Sequence, residues 1–226
     1  MSPPEPAAAT LAFLQAELQA INAVRAPPVL PFLVEREQAL ASGAVPRAPE
    51  ELLVCEEEDG IDVGLFLDDG VLAAVAAAPH RAGPRLLAGP WREGVLSAAE
   101  GVSHFVYLST RAAEGRRLSL LELELQGEVD KFALLLLRAW RRGGSRLGGL
   151  CRVLRRRLFE EVRFLAHLDA TELDRYRTAN RLAAGYARWL EGRYVAPRDR
   201  DGLLRELRET YRRGSADKAG YLGSRA

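Results

Sequence analysis

A leucine-dense segment from Ser119 to Trp140 constrains the fold more than any other part of this chain. On a helical wheel its apolar residues form two stripes on different sides. One stripe comprises Leu121, Leu125, Val129, Phe132 and Leu136, and the other comprises Leu120, Leu123, Leu134 and Leu137. A helix that is apolar on two sides must be covered on both, so we predict that this segment is the central helix of the fold.

Two polar lanes run between these stripes. The first lane comprises Glu122, Gln126 and Asp130, and the second lane comprises Glu124, Glu128 and Lys131. An unpaired charge in a protein interior is strongly destabilising, because the protein does not replace the solvation that water supplies. We therefore predict that the lanes either open to solvent or meet basic groups.

Cap signals predict where the two central helices begin. Ser97 stands three residues before Glu100, and Ser119 stands three residues before Glu122. In a capping box the hydroxyl and the carboxylate each accept a backbone N–H that the first helical turn leaves without a partner. The two boxes predict consecutive helices, and the short turn between them favours an antiparallel pair.

Helical periodicity recurs along most of the chain. Together with the cap signals it predicts eight helices, at about residues 7–25, 32–42, 68–78, 97–114, 119–140, 150–164, 171–194 and 202–213. Between the second and third helices, two short runs flank an Asp59-Gly60 pair, which is typical of a β-hairpin. The predicted fold class is mainly α: a single helical domain of six to eight helices with one small antiparallel β-hairpin at about 52–67.

The remaining composition sets the predicted domain limits. Residues 1–6 are rich in proline and are expected to form a flexible leader. The single helical domain with its hairpin insertion then spans residues 7–213. Residues 214–226 are expected to form a polar C-terminal tail that frays, and the four glycines in 141–149 predict a mobile surface link.

The whole-chain composition excludes several classes of protein. With 226 residues, 48% of them apolar, and a formal net charge of +1, the chain resembles an ordinary folded protein without a global field for polyanions. The longest apolar run, 132–137, is far shorter than the ~20 residues of a membrane span. Cys55 and Cys151 fit neither a metal site nor a disulfide framework, and no signal peptide is recognisable. We expect a cytoplasmic protein without a membrane partner, a metal or a cofactor.

Charge is concentrated in two blocks of opposite sign. Residues 50–69 contain nine acidic residues and no basic residue, whereas residues 138–163 contain nine arginines and two glutamates. The residues that we expect to bind a partner are Glu56, Glu57 and Glu58 in the acidic block and Arg152, Arg155, Arg156 and Arg157 in the arginine block. The blocks can bind a protein partner, pair between copies of the chain, or neutralise each other within one copy.

A nucleic-acid backbone is an alternative ligand for the arginine block, because guanidinium groups bind phosphates. No helix-turn-helix, zinc-finger or RNA-binding signature accompanies the block, and the acidic block would repel the same ligand. Plain solvation is the simplest alternative, since arginine stems cover apolar surface while their charged ends stay in water.

Glu100, His104 and Glu122 are the candidate residues of a metal or acid–base site. Glu100 and His104 are four residues apart and share a helix face, and helical bundles build such sites from facing side chains. However, neither an HExxH motif nor the paired Glu-x-x-His motifs of di-iron bundles occur. A capping role for Glu100 and a hydrogen-bonded interhelical position for His104 explain the same residues.

Signatures of common enzymes do not occur in the sequence, including the dinucleotide fingerprint, the P-loop, the nucleophile elbow and the kinase motifs. The sequence therefore favours a non-enzymatic interaction or regulatory module. A nucleic-acid-binding protein and a metal-dependent enzyme are the alternatives.

Overall fold

The computed structural model describes residues 3–57, 60–78, 89–141 and 146–225. Within these residues the helices are α1 (Glu5–Asn22), α2 (Arg36–Ala41), α3 (Asp69–Ala77), α4 (Arg92–Ala113), α5 (Leu120–Trp140), α6 (Leu147–Arg155), α7 (Ala170–Leu190), α8 (Arg200–Arg212) and α9 (Ser215–Gly223). The strands are β1 (Leu33–Val34), β2 (Glu50–Glu57) and β3 (Gly60–Leu67). The predicted mainly helical fold class is confirmed. No helix in these ranges is both long and apolar enough to span a membrane.

Contacts between residues divide the chain into two compact units. The first unit comprises Met1–Gln19 and Arg25–Thr110, and the second comprises Ala20–Val24 and Arg111–Ala226. The first unit thus holds the strands, α2, α3 and most of α1 and α4, and the second holds α5 to α9. The single helical domain over residues 7–213 stays a prediction.

A mixed sheet with the strand order β1-β3-β2 organises the first unit, as far as the chain is described. β2 and β3 are antiparallel, with Glu57 opposite Gly60, so the expected hairpin pairing is confirmed. The prediction of a hairpin alone was incomplete, because β1 also pairs with β3, in parallel, through residues 33–34. Gly64 permits this approach, since a Cβ atom there would lie 2.9 Å from Cγ1 of Val34.

The helix predicted at 32–42 is shorter than expected, because its first residues belong to β1. Helix α2 begins only at Arg36, where Glu35 and Gln38 form a reciprocal capping box. The sequence periodicity did not separate the strand from the helix, since short apolar runs fit either structure.

Helix α4 begins at Arg92, so the cap predicted at Ser97 is wrong. The backbone N–H of Val95 already donates to the carbonyl oxygen of Trp91 over 3.0 Å, which places Ser97 in the helix interior. The cap predicted at Ser119 is confirmed, because its hydroxyl accepts the backbone N–H of Glu122 at the start of α5. The side chains of Asp68 and Asp169 likewise each accept a backbone N–H at the start of α3 and α7.

Two glycines let α4 approach its neighbours in the first unit closely. A Cβ atom at Gly101 would lie 2.9 Å from Cδ1 of Leu65 in β3, and one at Gly94 would lie 2.4 Å from Cβ of Ala74 in α3. Real Cβ atoms do not approach other atoms so closely. At Gly94 the neighbouring Cβ of Ala74 cannot rotate away, so a larger residue would push α4 from α3, whereas at Gly101 the ends of the Leu65 and Glu50 side chains would have to shift.

Helix α5 is the centre of the second unit, where it packs against α6, α7 and α9. Every residue from Glu124 to Ala139 is buried, which confirms the predicted central position. The ring of Phe132 lies 6.0 Å from the ring of Phe159, in the π-helical turn 156–160 that follows α6. Both apolar stripes are therefore covered from Leu125 onwards, whereas Leu120 in the first turn is 61% exposed.

The segment predicted as a polar, fraying tail contains a ninth described helix, which also exceeds the predicted six to eight. Helix α9 begins directly after α8, and Lys218 and Leu222 within it are only 1% and 0% exposed. The polar composition of 214–226 suggested a tail, but its polar side chains find partners inside the second unit. A second π-helical turn, 191–195, extends α7.

Replacing Ser119 by alanine should lower the free energy of unfolding by about 1 kcal/mol, because the N–H of Glu122 loses its side-chain acceptor at 3.1 Å. Ser97→Ala is the matched control. It removes the same hydroxyl from a helix interior, where alanine has the higher helix propensity, and should change stability by less than about 0.5 kcal/mol. Urea unfolding followed by circular dichroism measures both, and equal losses would contradict the corrected helix start.

Candidate functional site

The outer half of the β-hairpin exposes apolar side chains. We call residues 53–57 and 60–63 the hairpin arm. Val54 is 48% exposed and Ile61 is 39% exposed. Both side chains are apolar and β-branched, which suits a strand that is covered on one face. Asp62 is also exposed. The arm therefore combines apolar surface with negative charge.

Glu56 and Glu57, which we expected to bind a partner, belong to β2 within this arm. Glu58 and Asp59 lie outside the described residues. At the base of the hairpin, Glu50 has a side chain only 14% exposed, and its Oε1 lies 4.0 Å from Nδ1 of His104. Oε2 of Glu51 accepts the backbone N–H of Arg47 over 2.9 Å. Thus the acidic residues at the base of the hairpin have partners, whereas Asp62 in the arm is exposed.

The four arginines predicted to bind a partner do not share one environment. Arg152 and Arg156 are exposed, whereas Arg155 and Arg157 are partly buried. Nη1 of Arg155 lies 2.5 Å from Oε2 of Glu191, and these two side chains are only 15% and 19% exposed. Arg155 thus stabilises the contact between α6 and the end of α7. Arg152 is exposed, and Nε of exposed Arg156 lies 3.0 Å from Oε1 of Glu161.

The residues of the predicted metal or acid–base site lie on two helices. Glu100 and His104 are in α4 of the first unit, and Glu122 is in α5 of the second. Within the first unit, His104 is buried and has Glu50 as a neighbour. The grouping of Glu100, His104 and Glu122 stays a prediction. His80, the histidine nearest in sequence, lies outside the described residues.

The first polar lane is buried in the second unit, and Gln126 and Asp130 within it are hydrogen-bonded. Nζ of Lys218 donates to Oε1 of Gln126 over 2.7 Å, and Nε2 of Gln126 donates to Oδ1 of Asp130 over 2.9 Å. Nδ2 of Asn22 donates to the same Asp130 oxygen over 2.9 Å. These four side chains are at most 2% exposed. The prediction that this lane opens to solvent or meets basic groups is confirmed, through a lysine of α9.

The second polar lane is also paired with basic groups. Nζ of Lys131 lies 3.1 Å from Oε1 of Glu128 one turn earlier in α5. Nε of Arg175 in α7 lies 3.7 Å from Oε1 of Glu124. Charge on α5 is therefore compensated from its own helix and from α7, as well as from α9.

Burial changes the acid–base behaviour of Lys218. Removal from water lowers the pKa of its ammonium group to about 7, although Glu122 and Asp130 act in the opposite direction. The guanidinium groups of Arg111 and Arg116 lower it further by repulsion. Such a lysine is almost evenly divided between its charged and neutral forms near neutral pH.

A second buried polar cluster joins α7, α8 and α9 around one carboxylate. Oε1 of Glu206 accepts the hydroxyl of Tyr186 over 3.0 Å and the hydroxyl of Tyr221 over 2.8 Å. The hydroxyl of Thr210 adds a bond of 3.2 Å to the same oxygen. Burial and the nearby carboxylate raise the pKa of Tyr186 well above its usual value, so this phenol stays protonated as a donor.

Two arginines also lie over the ring of Tyr221 in α9. Cζ of Arg213 lies 3.7 Å from the ring centre of Tyr221, and Cζ of Arg225 lies 3.6 Å from it. Arg225 additionally lies over Trp189 of α7 at 4.9 Å. Cation–π contacts of this kind favour the docked position of α9.

An open cleft of about 500 Å³ lies beside the start of α9. It is lined by Arg116, Glu209, Arg212, Arg213, Gly214 and Asp217. Its charges are largely engaged with one another, since Arg213 pairs with Asp217 at 2.9 Å. Nη1 of Arg116 donates to the carbonyl oxygen of Arg212 over 3.0 Å. The cleft is a consequence of how α8 turns into α9.

The two cysteines differ in environment. Cys55 is exposed in the hairpin arm, and Cys151 is buried in α6. Burial and the charge of Glu191 raise the pKa of the Cys151 thiol to about 12, so it stays protonated and is a poor nucleophile at neutral pH.

The sequence offered one signal for Lys218 that we did not use. The chain has 32 basic residues besides histidine, and only Lys131 and Lys218 among them are lysines. Both lysines are buried. A lysine releases its proton far more readily than an arginine when it is buried, which makes the rare lysines the candidates for interior positions.

Comparison with protein-family models, with curated proteins and with solved structures finds no match to this chain. Its function must therefore be argued from its own surfaces and clusters.

The stability of the second unit should depend on pH through Lys218. An unfolded lysine keeps its proton up to a pH of about 10.4, whereas folded Lys218 loses its proton above about pH 7. Between these pH values the unfolded chain binds more protons, so the free energy of unfolding rises with pH, by at most about 1.4 kcal/mol per pH unit.

Urea unfolding at a series of pH values measures this effect in the protein and in Lys218→Met, which cannot titrate at this position. The difference in the free energy of unfolding between the protein and this variant gives the contribution of Lys218. We expect the unsubstituted protein to gain stability relative to the variant from pH 7 to pH 10. A difference that does not vary with pH would refute the assigned pKa.

Proposed function

We propose that this chain is a non-enzymatic, cytoplasmic interaction module that binds protein partners through the hairpin arm and the exposed arginines of α6. The exposed apolar side chains of Val54 and Ile61 are the observation that carries the proposal. Apolar side chains with high β-propensity normally belong to a core, and exposed apolar surface surrounded by charge is typical of interaction sites.

Charge supports the same assignment. The arm carries exposed Asp62, and the sequence adds Glu56 and Glu57 to it, whereas α6 presents Arg152 and exposed Val153. Oppositely charged surfaces that each include apolar side chains are suited to bind each other between copies of the chain. Complementary charge brings such surfaces together and fixes their orientation, while apolar burial supplies affinity.

Reversing the charge of the arginine surface should weaken self-association. The double variant Arg152→Glu/Arg156→Glu replaces attraction to the hairpin arm by repulsion and should raise the dimer dissociation constant about tenfold or more. Sedimentation velocity at low salt measures the constant. Arg200→Glu is the control, because Arg200 is equally exposed but lies at the start of α8, outside the proposed surface.

A charge exchange makes the test specific. A second variant, Glu56→Lys/Glu57→Lys, should also fail to self-associate, yet a mixture of the two variants should restore association through the reversed pair. Association that is unchanged in both variants, or that the mixture fails to restore, would count against these surfaces as contacts.

Nucleic-acid binding is the second candidate function, and the exposure of Arg146, Arg152, Arg156 and Arg163 favours it. If these side chains bind phosphates, affinity for a labelled oligonucleotide falls steeply with salt. Arg152→Gln/Arg156→Gln should then reduce the slope of log affinity against log salt by about 2. Absence of binding even at low ionic strength would remove this candidate.

A further inference from the structure

We infer that the free edge of β2 takes up an extended, basic segment of another protein as an additional strand. The inference rests on the proposed function, in which the hairpin arm is a contact surface, and it names the partner that the backbone of this surface fits. Strand addition to an open sheet edge is a common mode of peptide recognition, because the edge presents unpaired N–H and C=O groups.

The strand order makes β2 an edge. In the described part of the chain β2 pairs with β3 on one side, and no other strand pairs with its opposite side. Residues Glu51–Cys55 make no further backbone hydrogen bond to any described residue. At eight residues, β2 is longer than the average strand, so the edge offers several consecutive bonding positions.

The register determines which backbone groups point outward. The N–H of Asp68 donates to the carbonyl oxygen of Pro49 over 2.8 Å, so this pair is a hydrogen-bonded one. Such pairs alternate along an antiparallel ladder. The hydrogen-bonded positions are therefore every second residue after Pro49. Leu53 and Cys55 direct their N–H and C=O groups to β3, whereas Leu52 and Val54 direct theirs to the free edge.

The side chains near this edge specify the chemistry of the added strand. Val54 and Ile61 share one face of the hairpin, because β2 residue 54 pairs with residue 63 and strand side chains alternate. Apolar residues in the middle of an added strand would cover this face. Glutamates occupy both ends of β2. Those at 50–51 already have partners, so the pair at 56–57 favours arginine or lysine in the part of the added strand that lies beside it.

The same glutamates argue against a second copy of β2 as the partner. In this register Glu50, Leu52, Val54 and Glu56 direct their backbone groups outward, so a symmetric antiparallel pair of β2 strands with Leu52 opposite Val54 places Glu50 of each copy opposite Glu56 of the other. Two pairs of glutamates would then meet, and like charges directly opposite each other destabilise a strand pair. The edge thus disfavours its own copy and remains open to a basic strand.

Amide hydrogen exchange tests the inference on the full chain. The probe is a synthetic peptide, Arg-Lys-Val-Thr-Val-Thr-Lys-Arg with blocked ends. At ten times its dissociation constant, the peptide should slow exchange at the amides of Leu52 and Val54 about tenfold, because only the unoccupied fraction exchanges. Exchange at Leu53 and Cys55 should not change, since these amides already bond to β3.

Two substitutions at one position separate the backbone from the side chain. Val54→Pro removes an outward N–H without removing a bond to β3, and it should weaken peptide binding about threefold to tenfold. Val54→Thr keeps the N–H and the β-branched shape and should bind within about twofold of the unsubstituted protein. Slow amide exchange at Leu53 and Cys55 in Val54→Pro verifies that the hairpin persists in this variant. If the hairpin is lost, the exchange pattern of the unsubstituted protein with the peptide decides the question.

Several results would overturn the inference. They are absence of peptide binding, binding without slower exchange at Leu52 and Val54, and equal binding of a peptide in which aspartate and glutamate replace the basic residues. None of them decides the proposed function, because the charge-exchange experiment tests that function through side chains and does not depend on the edge of β2.

Discussion

Removal of carboxylates from water on α5 is the constraint on which the second unit depends. Asp130 and its neighbour Gln126 are buried, and they require hydrogen-bonding partners. Asn22 supplies one donor, and Lys218, from the last helix of the chain, supplies another. The interior polar groups therefore explain why a polar C-terminal segment folds into α9 and packs against α5. Lysine fits this position because it can lose its proton, so the buried cluster need not keep every charge.

The structure separates charges that stabilise the fold from charges that remain available. Arg155, paired with Glu191, belongs to the first kind, as does the carboxylate of Glu206 with its ring of hydroxyl donors. Arg152 belongs to the second kind, together with Asp62 of the hairpin arm. Ion pairs between exposed groups contribute little to stability, so the fold does not depend on these exposed charges.

Local signals predicted local structure well. The cap at Ser119 and the hairpin over 52–67 follow from residues within a few positions of each other, and both are confirmed. Ser97 shows the limit of such signals, because serine and glutamate three residues apart also occur inside a helix. The strand at 33–34 was missed for a different reason. It is stabilised by β3, 32 residues later in the chain, and a short apolar run does not indicate which neighbour will cover it.

The sequence by itself determined the helical character of the chain, the burial of α5 on both sides and the separation of acidic from basic blocks. Periodicity and charge are properties of neighbouring residues, so one chain suffices to read them. Only the tertiary structure decided that Lys218 meets Gln126, that Arg155 is engaged while Arg152 is exposed, and that β2 is an edge strand. These outcomes depend on which distant segments come together, and that choice is made by packing and by the need to pair buried polar groups.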